Sequence, residues 1–248
     1  MLKYFIASDI HGYCTIFKET LEISGFDINN KNHIIIICGD IFDRGNEAKE
    51  LLDFLLSIPK DRLILIRGNH EDLLEDCLAE LKKFGPISHH HWSNGTIDTI
   101  GQLTSINPYD LISGLFKYEE LENKLEKYFS LVNRCIDYYE MEDYIFVHGW
   151  IPVDDSGVYY SYDINWRNSK SWKDARWYNG MDMANNKIVE KNKTIVCGHW
   201  HTGYGHFYIH KEGKTQYDNF DIYTDAGIIA LDACTAHSHK INVLQITV

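Results

Sequence analysis

Proline is scarce, four in 248 residues, and no Pro-, Gly- or Ser-rich stretch interrupts the chain. A flexible linker is thereby excluded, and so is low-complexity sequence. No internal repeat is found, which excludes a solenoid. The expectation is a single domain over 1–248 with a large core and inserted surface segments. No apolar run approaches the roughly 18 residues that a membrane span requires. The opening Met1-Leu2-Lys3-Tyr4-Phe5-Ile6 is too short an apolar stretch for a signal peptide and runs directly into a strand pattern. A cytoplasmic protein without membrane contact is expected. The six cysteines (14, 38, 77, 135, 197 and 234) show no CxxC spacing, so they read as structural thiols in a reducing compartment. Basic residues are also in deficit: 24 Lys and Arg stand against 36 Asp and Glu, a net charge of -12. That excludes duplex nucleic acid as the main partner, because backbone binding needs Lys and Arg clusters. It leaves phosphorylated substrates open, since bound dications reverse a local field.

What the chain does contain is a set of apolar runs that read as buried strands: Leu2–Ser8, His33–Cys38, Arg62–Arg67, Tyr144–Val147 and Lys193–Cys197. The continuous run His33–Cys38 suits a strand covered on both faces. Amphipathic patterns over about 14–24, 46–57 and 71–84 alternate with the first strands, which predicts right-handed crossovers and a largely parallel first half. Residues 86–140 read as a helical insertion ending in a long helix over about 118–139. Residues 152–192 are rich in Trp and read as a functional loop with a short helix. The end reads as strands at 193–197, about 205–210, 227–232 and 241–247. Two packed mixed sheets with helices outside, an α/β/β/α sandwich, account for this order.

Each strand run is followed by residues of one chemical kind. Asp9 and His11 follow the first, Asp40 the second, Asn69 the third, His148 the fourth, and His199 and His201 the fifth. Strands of one sheet present their carboxyl ends along one edge, so these residues converge despite their distance in sequence. Oxygen and imidazole donors without thiolate suit divalent Mn, Fe or Zn. Two such ions are a device for in-line displacement at phosphorus. Each motif alone has an ordinary explanation. Ser8-Asp9-Ile10-His11-Gly12 could be a surface turn, Asp43 beside Arg44 an exposed ion pair, and Asn69-His70-Glu71-Asp72 a helix cap. A lone histidine is more often structural than ligating. The conjunction of five compatible motifs in one order carries the argument.

Ser8-Asp9-Ile10-His11-Gly12, Gly39-Asp40-Ile41-Phe42-Asp43-Arg44-Gly45, Arg67-Gly68-Asn69-His70-Glu71, Val147-His148-Gly149 and Gly198-His199-Trp200-His201 together resemble the motifs of the calcineurin-like metallophosphoesterase superfamily. The second and third are closest to its phosphoprotein phosphatase branch, which holds Ser/Thr protein phosphatases and bacterial relatives that include symmetrical diadenosine tetraphosphatases. The resemblance spans residues 8 to about 203 and continues through Leu231-Asp232-Ala233-Cys234. It implies the four-layer metallophosphoesterase sandwich and two divalent ions per chain, manganese first, with iron or zinc as alternatives. Asp9 and His11 would hold one ion, Asn69, His148 and His199 the other, and Asp40 would bridge them. Arg44 would bind a substrate phosphate oxygen, and His70 would protonate the leaving oxygen with Asp43 fixing its tautomer. The implied activity is phosphomonoester hydrolysis on phosphoserine or phosphothreonine in proteins. A dinucleoside polyphosphate or other nucleotide hydrolase is the alternative, with Trp166, Trp172 or Trp177 stacking a base. Two departures stand out. Ser8 replaces the branch's usual Gly, and His201 adds a second histidine to the fifth motif, which the wider superfamily uses as a further ligand.

The resemblance also calls for a second phosphate-binding arginine from 152–192, and Arg167 and Arg176 are the candidates. Each could instead stack on its neighbouring Trp. His89-His90-His91 reads as a solvated loop on the site rim, His237 and His239 as surface or rim residues, and the charged run 119–127 as a solvated helix face. Asn94-Gly95-Thr96 reads as a turn and cap leading into a helix that shapes the substrate cleft.

Overall fold

A computed structural model describes residues 1–83, 86–154 and 161–248. Strands β1 (Lys3–Ala7), β2 (His33–Cys38) and β3 (Leu63–Ile66) pair in parallel, and the C-terminal strand runs antiparallel to β1 at Leu244–Thr247, giving one four-stranded sheet. The second sheet has five strands. Tyr139–Met141 (β4), Tyr144–Phe146 (β5), Thr194–Cys197 (β6), Tyr223–Asp225 (β7) and Ile228–Ala230 (β8) lie in the order β4-β5-β6-β8-β7, with β5, β6 and β8 parallel. The C-terminal strand is β9.

Alternation along each strand sorts side chains into three cores. Phe5, Ala7, Ile35 and Ile37 face the helices α1 (Cys14–Ile23), α2 (Ala48–Ser57) and α3 (Asn69–Lys82), meeting Phe17, Leu21, Leu51, Leu55 and Leu74. Their neighbours Tyr4, Ile6, Ile36 and Cys38 point the other way and pack on Phe146, Val196 and Leu231 between the sheets. Ile195 and Cys197 face outward again, onto Trp150, Trp166, Trp172 and Met181 from the segment after β5. The expected four layers follow: helices, sheet, sheet, and a cover of short helices and loop.

The segment 86–140 is helical, as expected, but the long helix over about 118–139 is not continuous. Tyr118–Lys124 and Glu126–Val132 are separate helices joined at Leu125, which is wholly buried. Breaking there lets Leu121, Leu125, Tyr128 and Leu131 all reach the same core. The chain then returns to the sheet through an Ile66–Ile136 bridge and β4, which the charged pattern hides. The strand expected at 205–210 is also absent. Residues 202–209 wind as a short helix and a wide π turn, while β7 and β8 form the sheet edge. Gly203 and Gly205 permit this close winding: a Cβ on Gly203 would lie 1.9 Å from the Gln216 carbonyl oxygen. The histidine run 89–91 begins a helix, and His91 is fully buried near Glu80 (3.6 Å), so it is not part of a solvated loop. His237 sits in a helical turn at Thr235–Ser238, with His239 directly after it. No helix among the described residues is long and apolar enough to cross a membrane. All six cysteines are free, four of them buried.

Candidate active site

Because β1, β2 and β3 are parallel, their carboxyl ends lie along one edge, and those of β5 and β6 reach the same place from the second sheet. The loops after β1 and β2 are zipped together: Asp9 N–H donates to the Gly39 carbonyl and His11 N–H to the Asp40 carbonyl. Asp9, His11, Asp40, Asp43, Arg44 and His199 all adopt left-handed backbone conformations, with φ between 52° and 71°. Non-glycine residues rarely stay there, and such strain gathers where surrounding structure over-determines a functional geometry.

Asp40 is the hub. One carboxylate oxygen accepts the His70 backbone N–H (3.0 Å) and lies 3.2 Å from His148 Nε2. The other lies 3.8 Å from both His11 Nε2 and His70 Nε2. His148 Nε2 is also 2.8 Å from Asn69 Oδ1. Asp9 Oδ1 is 3.9 Å from His11 Nε2, and its second oxygen accepts the His199 N–H. His148 and His199 have their rings 5.1 Å apart. Three histidines have their non-facing nitrogen engaged by a backbone carbonyl: His11 Nδ1 by Phe42, His148 Nδ1 by Cys38 and His199 Nε2 by Trp177. That is how a protein fixes the tautomer of a metal-ligating imidazole.

The electrostatics point the same way. Burial, then the neighbouring Asp232 and Asp40, push the Asp9 carboxyl up to about 8. Burial alone would lower His148, but Asp40 outweighs it and pushes the imidazole up to about 10. Buried carboxylates facing one another, with Asp40, Asn69 Oδ1 and His148 Nε2 converging beside them, mark a place built for positive charge. Among the described residues, His11–Asp40–His70 and Asp40–His148–His199 are the groupings here whose donor atoms could share an ion. The oxygen and imidazole chemistry gathered around Asp40 fits divalent cations. His201 Nδ1 bonds Asp232 (2.9 Å) and its Nε2 faces Cys234 Sγ (3.3 Å).

Beside this cluster, His70 Nδ1–H donates to Asp43 (2.8 Å), which also accepts Thr96 Oγ–H (2.8 Å). Burial would lower His70, but Asp40 and Asp43 prevail and hold it above its ordinary value. Arg44 reaches across to His11 Nε2 (2.9 Å) and His70 Nε2 (3.2 Å). The turn at 94–95 leads into the helix Thr96–Thr104, as expected. Gly95 is required because a Cβ would lie 2.6 Å from the Arg44 backbone nitrogen.

The other two arginines are placed differently. Arg167 stacks on Trp166 (4.2 Å) and pairs with Glu140 and Glu190. Arg176 is ion-paired to Asp72 and Asp137. Trp166 and Trp172 are buried against Tyr138 and offer no stacking surface, whereas Trp177 is half exposed. Trp177, Trp200, Tyr204 and Tyr217, with Arg44 and His199, line a cavity of about 490 Å³.

Three residues escaped the sequence reading. Glu71 is wholly buried, and its carboxylate accepts the backbone N–H groups of Asp40, Ile41 and Gly68, clamping two loops. Its spacing from Gly68, that of a capping box, was the available signal. Glu71→Gln would set an amide donor against backbone donors. We expect a loss of about 3 kcal/mol and, by thermal unfolding, a melting temperature lower by roughly 6–12 °C. The others are Asp232, which orients His201, and Thr96, whose hydroxyl shares Asp43 with His70. Thr96→Val should slow hydrolysis of a phosphothreonine peptide about tenfold through kcat, as expected for one lost hydrogen bond. With p-nitrophenyl phosphate, whose leaving group needs little protonation, the effect should disappear.

The calcineurin-like phosphoesterase model matches residues 2–240, nearly the whole chain. The chain belongs to the calcineurin-like phosphoesterase family. That family is dinuclear-metal-dependent. A symmetrical bis(5'-nucleosyl)-tetraphosphatase of Buchnera aphidicola is 42% identical over 71 residues, 29% of this chain and 24% of that protein. One of Wigglesworthia glossinidia brevipalpis is 33% identical over 82 residues, 33% of this chain and 29% of that one. The matches thus span about a quarter of the length of these relatives. A cold-active protein tyrosine phosphatase of a psychrophilic Shewanella species shares the fold, with a TM-score of 0.52 and 15% identity over 99% of this chain and 75% of that one.

Proposed function

We propose that this chain is a dinuclear-metal phosphomonoesterase acting on phosphorylated protein side chains, phosphoserine or phosphothreonine first. The observation that carries the reading is the Asp43–His70–Arg44 array set directly against the Asp40 cluster. Asp9, His11, Asp40, Asn69, His148 and His199 would hold two ions, manganese first. When bound, the ions supply the nucleophile and neutralise phosphoryl charge. Arg44 orients a phosphate oxygen. His70, its Nδ1–H held by Asp43, presents Nε2 to the leaving oxygen and donates the proton there. Among the described residues lining the cavity, Arg44 is the one strong cation, which suits a single phosphoryl group better than a tetraphosphate.

A second reading is favoured by the same cavity. Trp177 and Trp200 are 49% and 40% exposed, enough to stack a base, and would serve a dinucleoside tetraphosphate hydrolase. Specificity constants with manganese on a phosphothreonine peptide, a phosphotyrosine peptide and diadenosine tetraphosphate separate the two. Preference for the phosphothreonine peptide supports the first reading, and preference for the dinucleotide replaces it with the second.

A further inference from the structure

Away from the phosphoesterase cluster, metal-binding chemistry gathers once more. The wide π turn Gly205–Ile209 carries His206 and leads to His210 and Glu212, and the donor atoms of these three lie within 4.8 Å of one another. Both imidazoles present the same nitrogen to one carboxylate: His206 Nδ1 is 2.7 Å from Glu212 Oε2, and His210 Nδ1 is 3.7 Å from Glu212 Oε1. Both also have the opposite nitrogen engaged. His206 Nε2–H donates to the Asp221 carbonyl (3.1 Å), and His210 Nε2 faces Asp225 Oδ2 (3.4 Å). Tyr223 holds both rings, with centroids 5.5 and 4.6 Å away.

We propose that His206, His210 and Glu212 form an additional divalent-cation site, suited to zinc, that ties the π turn to Glu212. Two imidazoles and a carboxylate are a zinc donor set, and three protein ligands leave the fourth position to water. The backbone carbonyl and the carboxylate behind the rings supply the outer support that zinc-bound imidazoles usually have. The π turn brings the two histidines to one carboxylate, and such turns recur at functional sites. A plain surface pairing of protonated histidines with Glu212 would contribute little and would not require both rings to turn Nδ1 inward. The consequence reaches the main site. Between Glu212 and Asp221, whose carbonyl backs His206, lie Gln216 and Tyr217, which line the aromatic cavity, and the Gln216 carbonyl packs on Gly203. A cation here fixes that wall.

The test uses the full chain, stripped with chelator and dialysed against zinc, with bound metal counted by mass spectrometry. The comparison is the double variant His210→Gln/Glu212→Gln. Both residues are exposed and lie outside the catalytic cluster, so the variant should fold, as circular dichroism would verify. The wild type should bind one more zinc ion per chain than the variant. Zinc added to manganese-loaded protein should raise the melting temperature of the wild type alone. Equal zinc stoichiometry in the two proteins, or equal zinc-induced shifts in melting, overturns the site. Neither readout depends on catalysis, so the outcome is independent of the proposed activity.

Discussion

Asp40→Asn should reduce the rate on p-nitrophenyl phosphate by on the order of 10³ or more, and bound manganese should fall with it. Asp40 reaches the His70 backbone, His148, and the Nε2 atoms of His11 and His70. An amide in its place loses the charge that compensates these imidazoles and turns an N–H donor toward one of them. Several kcal/mol of charge stabilisation depend on the ions that such a carboxylate holds, and about 4 kcal/mol corresponds to that factor in rate. Rates and metal content measured on the same preparation check this. A variant that keeps both ions and most of the rate would show that Asp40 is not the hub.

His70→Asn should lower kcat on a phosphothreonine peptide by roughly 10²–10⁴, the range for a lost general acid. Metal content should hold, because His70 is assigned a proton and not an ion. The 2.8 Å bond of His70 to Asp43 and the nearby Asp40 carboxylate, which together hold its pKa above the ordinary value, are the arrangement of a positioned proton donor. Asn keeps the backbone N–H to Asp40 and cannot deliver a proton. The loss should shrink on p-nitrophenyl phosphate, so the ratio of the two effects is the diagnostic. Equal losses on both substrates would instead make His70 a structural or metal-binding group.

Much of this geometry is legible in the sequence for a physical reason. Strands covered on both faces must be apolar throughout, so β1, β2, β3 and β6 stand out as runs, and the first polar residues after them lie at the sheet edge. Asp9, His11, Asp40, Asn69, His148 and His199 converge there by topology. Partners that depend on distant chain are illegible. Arg167 and Arg176 look the same in sequence whether the partner is a phosphate or, as found, carboxylates at Glu140, Glu190, Asp72 and Asp137. Glu71 reads as a helix first-turn acid, yet it is spent on the backbone amides of a loop some thirty residues earlier as well as on its own cap. Aromatic richness after β5 shows that something is covered but does not separate buried Trp166 from exposed Trp177. Apolar and polar residues alternate through 205–210 in a way that a π turn satisfies as well as a strand.

The most direct test of the central claim is a manganese titration of chelator-stripped enzyme, following p-nitrophenyl phosphate hydrolysis and bound metal together. The account predicts no turnover without metal and full rate only when two manganese ions per chain are bound, with Asp40→Asn inactive at every concentration. Full activity with a single bound ion, or with none, would contradict it.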